Sequence, residues 1–191
     1  MSKKTLLVGV SGASGMPVLK QSLRILHKDG TYDTVLVATD SAALTYRQEM
    51  GEEIDQLKSL VTAVADNKDI GSLYASGSAA TFGMLILPCS MKTLAGIDVG
   101  YSDNLLLRAA DVTIKEKRTL VLAVRESPLS PIHLEHMKSL SQLHNVYLSP
   151  LMMEFYTKPR YLEEMVYQTA ARVLRPFGIK AEGYQSWKGI E

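Results

Sequence analysis

Five short apolar runs constrain this fold more than any other feature of the chain. They are "TLLVGV" (5–10), "DTVLVATD" (33–40), "GMLILP" (83–88), "TLVLAV" (119–124) and "NVYL" (145–148). Each is rich in Val, Leu or Ile, and each is too short for a buried helix. Such runs read as strands covered on both faces. Between them lie segments that read as helical: 16–29, 41–50, 53–66, 90–97, 103–116, 131–143 and 161–177. In the first of these, Val18, Leu19, Leu23, Ile25 and Leu26 make an apolar stripe that stops at Gly30. Strands alternating with helices predict an α/β fold: a parallel sheet with helices on both faces. A length of 191 residues suits a single domain, 1–191.

In open parallel sheets, ligands bind beyond the carboxyl ends of the strands. Those ends are Ser11–Gly15, Thr39–Ser41, Pro88–Thr93 and Arg125–Pro128. The formal net charge of +1 gives no general field for nucleic acid or an anionic membrane, so an anionic ligand must meet locally placed charges. A single cysteine cannot form an internal disulfide, which points to a reducing compartment. The apolar start is too short for a secretory signal, and no run approaches the roughly 20 residues of a membrane span. A cytoplasmic protein is expected.

"GVSGASG" places glycines at 9, 12 and 15 in the first turn, where backbone can approach a ligand closely. The helix that follows offers N–H groups to a phosphate, and Ser14 offers a hydroxyl or an N-cap. The order is not G-x-G-x-x-G, so the strict dinucleotide fingerprint is absent. Asp40, at the end of the second strand, stands where an acid often bonds ribose hydroxyls, which keeps a nicotinamide oxidoreductase as an alternative. "PCSMKT" repeats the strand–turn–helix logic, with Ser90 and Thr93 as ligand-gripping or capping hydroxyls. Cys89 lies beside no histidine motif that would activate it, so it reads as a buried wall rather than a nucleophile.

Arg108 and Lys115 are seven residues apart and share a helix face. Arg125 and Glu126 end the fourth run, as ligand groups or as a structural ion pair. Tyr156 precedes Pro159, and Arg172 lies on the last helix; a hydroxyl and a guanidinium fork suit a phosphate. His133 and His136 have no third metal ligand nearby in the pattern and read as exposed helix residues.

Taken together, "GVSGASG", "LPCSMKTLAGI", "DNLLLRAADVTIKEKRTLVLAVRESPLSPIHLEHM" and "FYTKP" resemble the UbiX-type flavin prenyltransferases. The likeness runs from about Thr5 to Trp187. It implies a Rossmann-like, flavodoxin-type sheet and a homododecamer. It implies transfer of a dimethylallyl group from dimethylallyl phosphate to N5 and C6 of reduced FMN, without a metal. The prenylated FMN would serve a separate UbiD-type decarboxylase, as in ubiquinone synthesis or phenolic acid breakdown.

Carried over by motif, Gly12, Ala13, Ser14, Ser90, Met91, Lys92, Thr93 and Arg125 would hold FMN, with Asp40 at the ribityl hydroxyls. Tyr156 and Arg172 would bind the donor phosphate. Lys115, Glu126 and Arg108 would form the phosphate-facing, proton-handling set. Trp187, in a tail from about residue 178, would close over the site or pack on a neighbouring subunit. Three departures from the family pattern bear on the flavin contacts: "GASGMPVL" in the first turn, Asp40-Ser41 after the second strand, and Phe82. A flavin-dependent cysteine decarboxylase and a non-catalytic FMN-binding subunit of a decarboxylase are the other readings of the same resemblance.

Overall fold

The computed structural model describes residues 3–190; residues 1, 2 and 191 of the expected 1–191 domain lie outside the described residues. The strands are β1 (Lys4–Val10), β2 (Tyr32–Ala38), β3 (Ala63–Ala65), β4 (Thr81–Cys89), β5 (Thr119–Val124) and β6 (Val146–Leu148). The α-helices are α1 (Met16–Asp29), α2 (Asp40–Met50), α3 (Met91–Asp98), α4 (Leu105–Lys115), α5 (Pro131–Ser141) and α6 (Leu162–Leu174). All strands pair in parallel, in the order β3-β2-β1-β4-β5-β6. The five strands expected from the apolar runs alone follow the flavodoxin order. The short β3 at the edge extends it to the order of dinucleotide-binding sheets.

β3 corrects the expected helix over 53–66. Ile54, Leu57, Leu60 and Val61 mimic helical spacing, but the chain makes a 3-10 helix over Ile54–Leu60 in which only Leu57 is buried. It then turns into the sheet, pinned by Thr62 N–H on the Thr34 carbonyl (2.8 Å) and Thr34 N–H on Thr62 Oγ1 (3.1 Å). The last helix ends at Leu174, ahead of Pro176, and residues 175–177 continue as a 3-10 turn.

Successive strand residues face opposite ways, so each apolar run feeds two cores. Leu6, Val8 and Val10 of β1, Leu85 and Leu87 of β4, and Val121 and Ala123 of β5 pack against α1, α2 and α6. Leu7, Met84, Ile86, Cys89, Leu120, Leu122 and Val124 pack against α3, α4 and α5. The β4–β5 register slips between Ile86 and Cys89, where Pro88 has no N–H to give the ladder. The chain reverses its direction of travel across the sheet between β1 and β4, and the loops beyond those two strands mark the switch point.

Candidate active site

Ser11, 1% exposed, ties the two switch-point loops together. Its hydroxyl donates to the Pro88 carbonyl (3.0 Å) and accepts the Ser90 N–H (2.8 Å). Arg125 N–H joins the third loop by bonding the Cys89 carbonyl (3.1 Å). The glycine loop is wedged between two neighbours. A Cβ on Gly12 would lie 2.6 Å from Ser41, and a Cβ on Gly15, which has a φ of +130°, would lie 2.6 Å from Leu151. Both positions require glycine.

On the Ser41 side a cavity of about 310 Å³ opens, lined among others by Thr39, Asp40, Asn67, Ser90 and Lys92. Four helix starts border this cavity and the glycine loop, and the destinations of their N–H groups differ. At α1 they are taken: Gly15 and Met16 donate to Glu49 Oε2 at 3.0 and 2.9 Å. This corrects the expectation that α1 offers its N-terminus to a phosphate; a carboxylate from α2 fills that place, and Ser14 is exposed and makes no cap. At α4 they are also taken: Leu105 and Leu106 donate to Asn67, and Leu107 to Asn104. At α2 and α3 the side chains of the caps Thr39 and Ser90 take the N–H groups of Ala42 and Thr93, and the Thr39 and Ser41 hydroxyls pair at 3.0 Å. The N–H groups preceding those two positions remain for a ligand. Asp40 is exposed at the first turn of α2, with Lys68 at 3.5 Å. Hydroxyls, free helix-start amides and the Lys92 ammonium are the donor set that a sugar-alcohol phosphate requires, so the cavity fits the phosphate and ribityl chain of FMN.

On the Leu151 side the chain leaves β6, is fixed by Leu151 N–H on the Val124 carbonyl (3.0 Å), and reaches Glu154. Glu154 is 5% exposed and takes two partners: the Tyr156 hydroxyl at 2.6 Å and the Arg172 guanidinium. The hydrogen bond from Tyr156 to Glu154 pushes the phenol up to about 12. Residues after 180 fold back along α6. Gln168 donates to the Gly183 carbonyl (3.0 Å) and accepts from Gln185 N–H (3.0 Å). This sets Trp187 edge-on against Tyr156, with ring centroids 5.6 Å apart.

A family model described as Flavoprotein matches residues 1–173. A Bacillus subtilis (strain 168) protein described as "Probable UbiX-like flavin prenyltransferase" is 43% identical over 99% of this chain and 92% of its own. The chain belongs to the Flavoprotein family, among the UbiX-like flavin prenyltransferases. The crystal structure of AnUbiX (PadA1) in complex with FMN and dimethylallyl pyrophosphate superposes with a TM-score of 0.95, at 33% identity and with all of both chains covered. A dodecameric FMN-dependent UbiX-like decarboxylase from Escherichia coli O157:H7 gives 0.94 at 40% identity, covering 97% of this chain and 100% of that one.

Within this UbiX-like chain, the residues singled out in the sequence fall into three places. Gly12, Ala13, Ser14, Asp40, Ser90, Lys92 and Thr93 gather at the glycine loop and cavity. Met91 is buried in the core, so only its backbone can meet a ligand there. Tyr156, Arg172 and Trp187 form the cluster on the other side of the loop. Arg125 and Glu126 are exposed at the end of β5, and Glu126 Oε1 accepts the Ser127 N–H (3.0 Å).

Lys115 and Arg108 do not join them. Lys115 ends α4 beside Gly77 and pairs with Glu116 (2.6 Å), at the amino edge of the sheet. Glu126 lies at the far end of β5, a strand about 20 Å long. Arg108 is tied to the Ala75 carbonyl (3.1 Å) and Asp111 (2.6 Å). Phe82 also lies at the amino edge, 5.0 Å from the Tyr32 ring, so this departure touches no flavin contact within one chain.

Both histidines are engaged rather than free at the surface. His133 completes a capping box with Ser130, and His136 bonds Asp98 (2.7 Å). Cys89 is fully buried, and burial pushes its thiol up to about 12, which leaves no thiolate for attack at neutral pH. Glu49, Asn67 and Glu154 went unread in the sequence. Each has at least one partner more than 15 positions away in the chain, which no local pattern marks.

Proposed function

We propose that this protein transfers a dimethylallyl group from dimethylallyl phosphate to reduced FMN, giving prenylated FMN. One observation carries the reading: the glycine loop separates an amide-and-hydroxyl cavity from an arginine–tyrosine cluster, so an acceptor and a phosphorylated donor can flank one point. The helix starts of α2 and α3, with Lys92, hold the FMN phosphate and ribityl chain. Reduced FMN supplies the nucleophilic ring atoms that take the prenyl group. Arg172 and Tyr156 hold the donor phosphate, whose departure is slow unless its charge is met. The aromatic faces of Tyr156 and Trp187 screen the allyl group from water as the C–O bond breaks. Glu126, with one carboxylate oxygen free of the Ser127 amide, carries the proton.

Lys115 cannot reach Glu126 of its own chain, and Arg108 is held by the Ala75 carbonyl and Asp111. If they act in the reaction, they do so in the site of a neighbouring copy, as an assembly like that of the E. coli relative would allow. The tail from about residue 178 closes the donor side. We place the protein in the cytoplasm, handing its product to a UbiD-type decarboxylase in ubiquinone synthesis or phenolic acid breakdown. Among the described residues, no helix is long and apolar enough to cross a membrane, and no group of acidic, histidine and cysteine side chains is placed to hold a metal.

The test is anaerobic incubation with reduced FMN and dimethylallyl phosphate, followed by the mass of the released flavin. A flavin heavier by one prenyl unit is expected. Bound flavin of unchanged mass would leave a scaffold subunit in its place.

A further inference from the structure

The two groups assigned to the donor phosphate already hold an anion. Glu154 places one carboxylate oxygen on the Arg172 guanidinium and the other on the Tyr156 hydroxyl, 2.6 Å away. The Glu154 side chain is 4% exposed, whereas that of Arg172 is 55% exposed. A carboxylate and a phosphate edge ask for the same donors. Tyr156 has a single proton, and it points at Glu154. Towards any ligand in solution the phenol therefore presents only lone pairs, which a phosphate cannot use. Arg172 gives Glu154 one of its five N–H donors, and the nearby carboxylate offsets part of its charge; the hydrogen bond and that charge push the guanidinium above its ordinary value.

We propose that Glu154 is a specificity-determining residue, a resident anion that competes with the donor phosphate for Tyr156 and Arg172. To bind, the phosphate must draw the Tyr156 proton away from Glu154, which leaves a buried carboxylate oxygen unpaired. The site thus discriminates against weakly held anions such as free phosphate. It admits a donor whose prenyl chain adds contact energy against Tyr156 and Trp187. This inference rests on the proposed function for the identity of the donor and on the geometry for the competition.

Trp187 is the sole tryptophan of the chain and touches Tyr156, so its fluorescence reports on this cluster without any turnover. The full-length protein with FMN is titrated with inorganic phosphate and with dimethylallyl phosphate, as wild type and as Glu154→Gln. The amide keeps the oxygen that meets Arg172 and frees the Tyr156 proton. Both anions should bind the variant at least about tenfold more tightly, a shift matching the removal of one nearby like charge. The KM for dimethylallyl phosphate should fall by a similar factor, with FMN affinity unchanged. Glu154→Ala, which removes the charge without adding an amide, should move binding the same way if the glutamine variant fails to fold. Unchanged or weaker phosphate binding in a variant that still holds FMN overturns the proposal. Tighter phosphate binding without any prenylated flavin from the wild type would retire the donor assignment and keep Glu154 as the competitor.

Discussion

The two sides of the glycine loop are built by different means. On the Ser41 side the ligand groups are backbone amides and short hydroxyls at the starts of α2 and α3, fixed by the helices themselves. On the Leu151 side they are long side chains from an irregular segment, a helix and a folded-back tail, held by one another. The first arrangement exists as soon as the sheet exists. The second needs residues 154, 156, 172 and 187 to arrive together, and it can be altered one side chain at a time. A rigid acceptor side and an adjustable donor side follow from that contrast.

The contrast should survive some changes and not others. The largest effect is expected where a third region is drawn in. Glu126→Gln and Lys115→Ala should each keep FMN and lose prenylation by about a hundredfold or more. Mixed assemblies of the two variants should recover part of the rate, because some sites then combine an intact Glu126 with an intact Lys115 from another copy. Parent rates in the mixture would place both groups in one chain's site, against the sheet geometry. Next, Gly12→Ala pushes into Ser41 and should weaken FMN at least about tenfold, the scale of an overpacked contact. Equilibrium dialysis reads this, and the Trp187 response to phosphate should stay as it was. Trp187→Phe should raise the KM for the donor severalfold, the worth of an aromatic pair, and leave FMN binding alone. Smallest of all, Cys89→Ala should change turnover less than about threefold, and the native thiol should resist alkylation at pH 8.

The sequence carried the acceptor side further than the donor side, for a physical reason. Apolar runs followed by Gly, Ser or Thr mark strand ends and caps, so Ser90, Thr93 and the order of the main strands were readable. β3 was missed because Ile54, Leu57 and Leu60 recur every third residue, a spacing that a 3-10 turn shares with a helix. The α1 start was misread because its partner, Glu49, comes from another helix. Tyr156 and Arg172 were readable as phosphate-binding types, but their assignment to the donor came from likeness to a family. Glu154, which governs both, has no signature in a string of residues. Lys115 was grouped with Glu126 by likeness alone, because the face it shares with Arg108 says nothing about which end of the strand it will border.

The most direct test of two sites flanking one loop is a crystal structure of Glu126→Gln with FMN and dimethylallyl phosphate bound and unreacted. The account predicts the FMN phosphate at the starts of α2 and α3, and the donor phosphate on Arg172 and Tyr156 across the glycine loop. A donor phosphate bound in the Ser90 cavity, with Tyr156 still on Glu154, would contradict it.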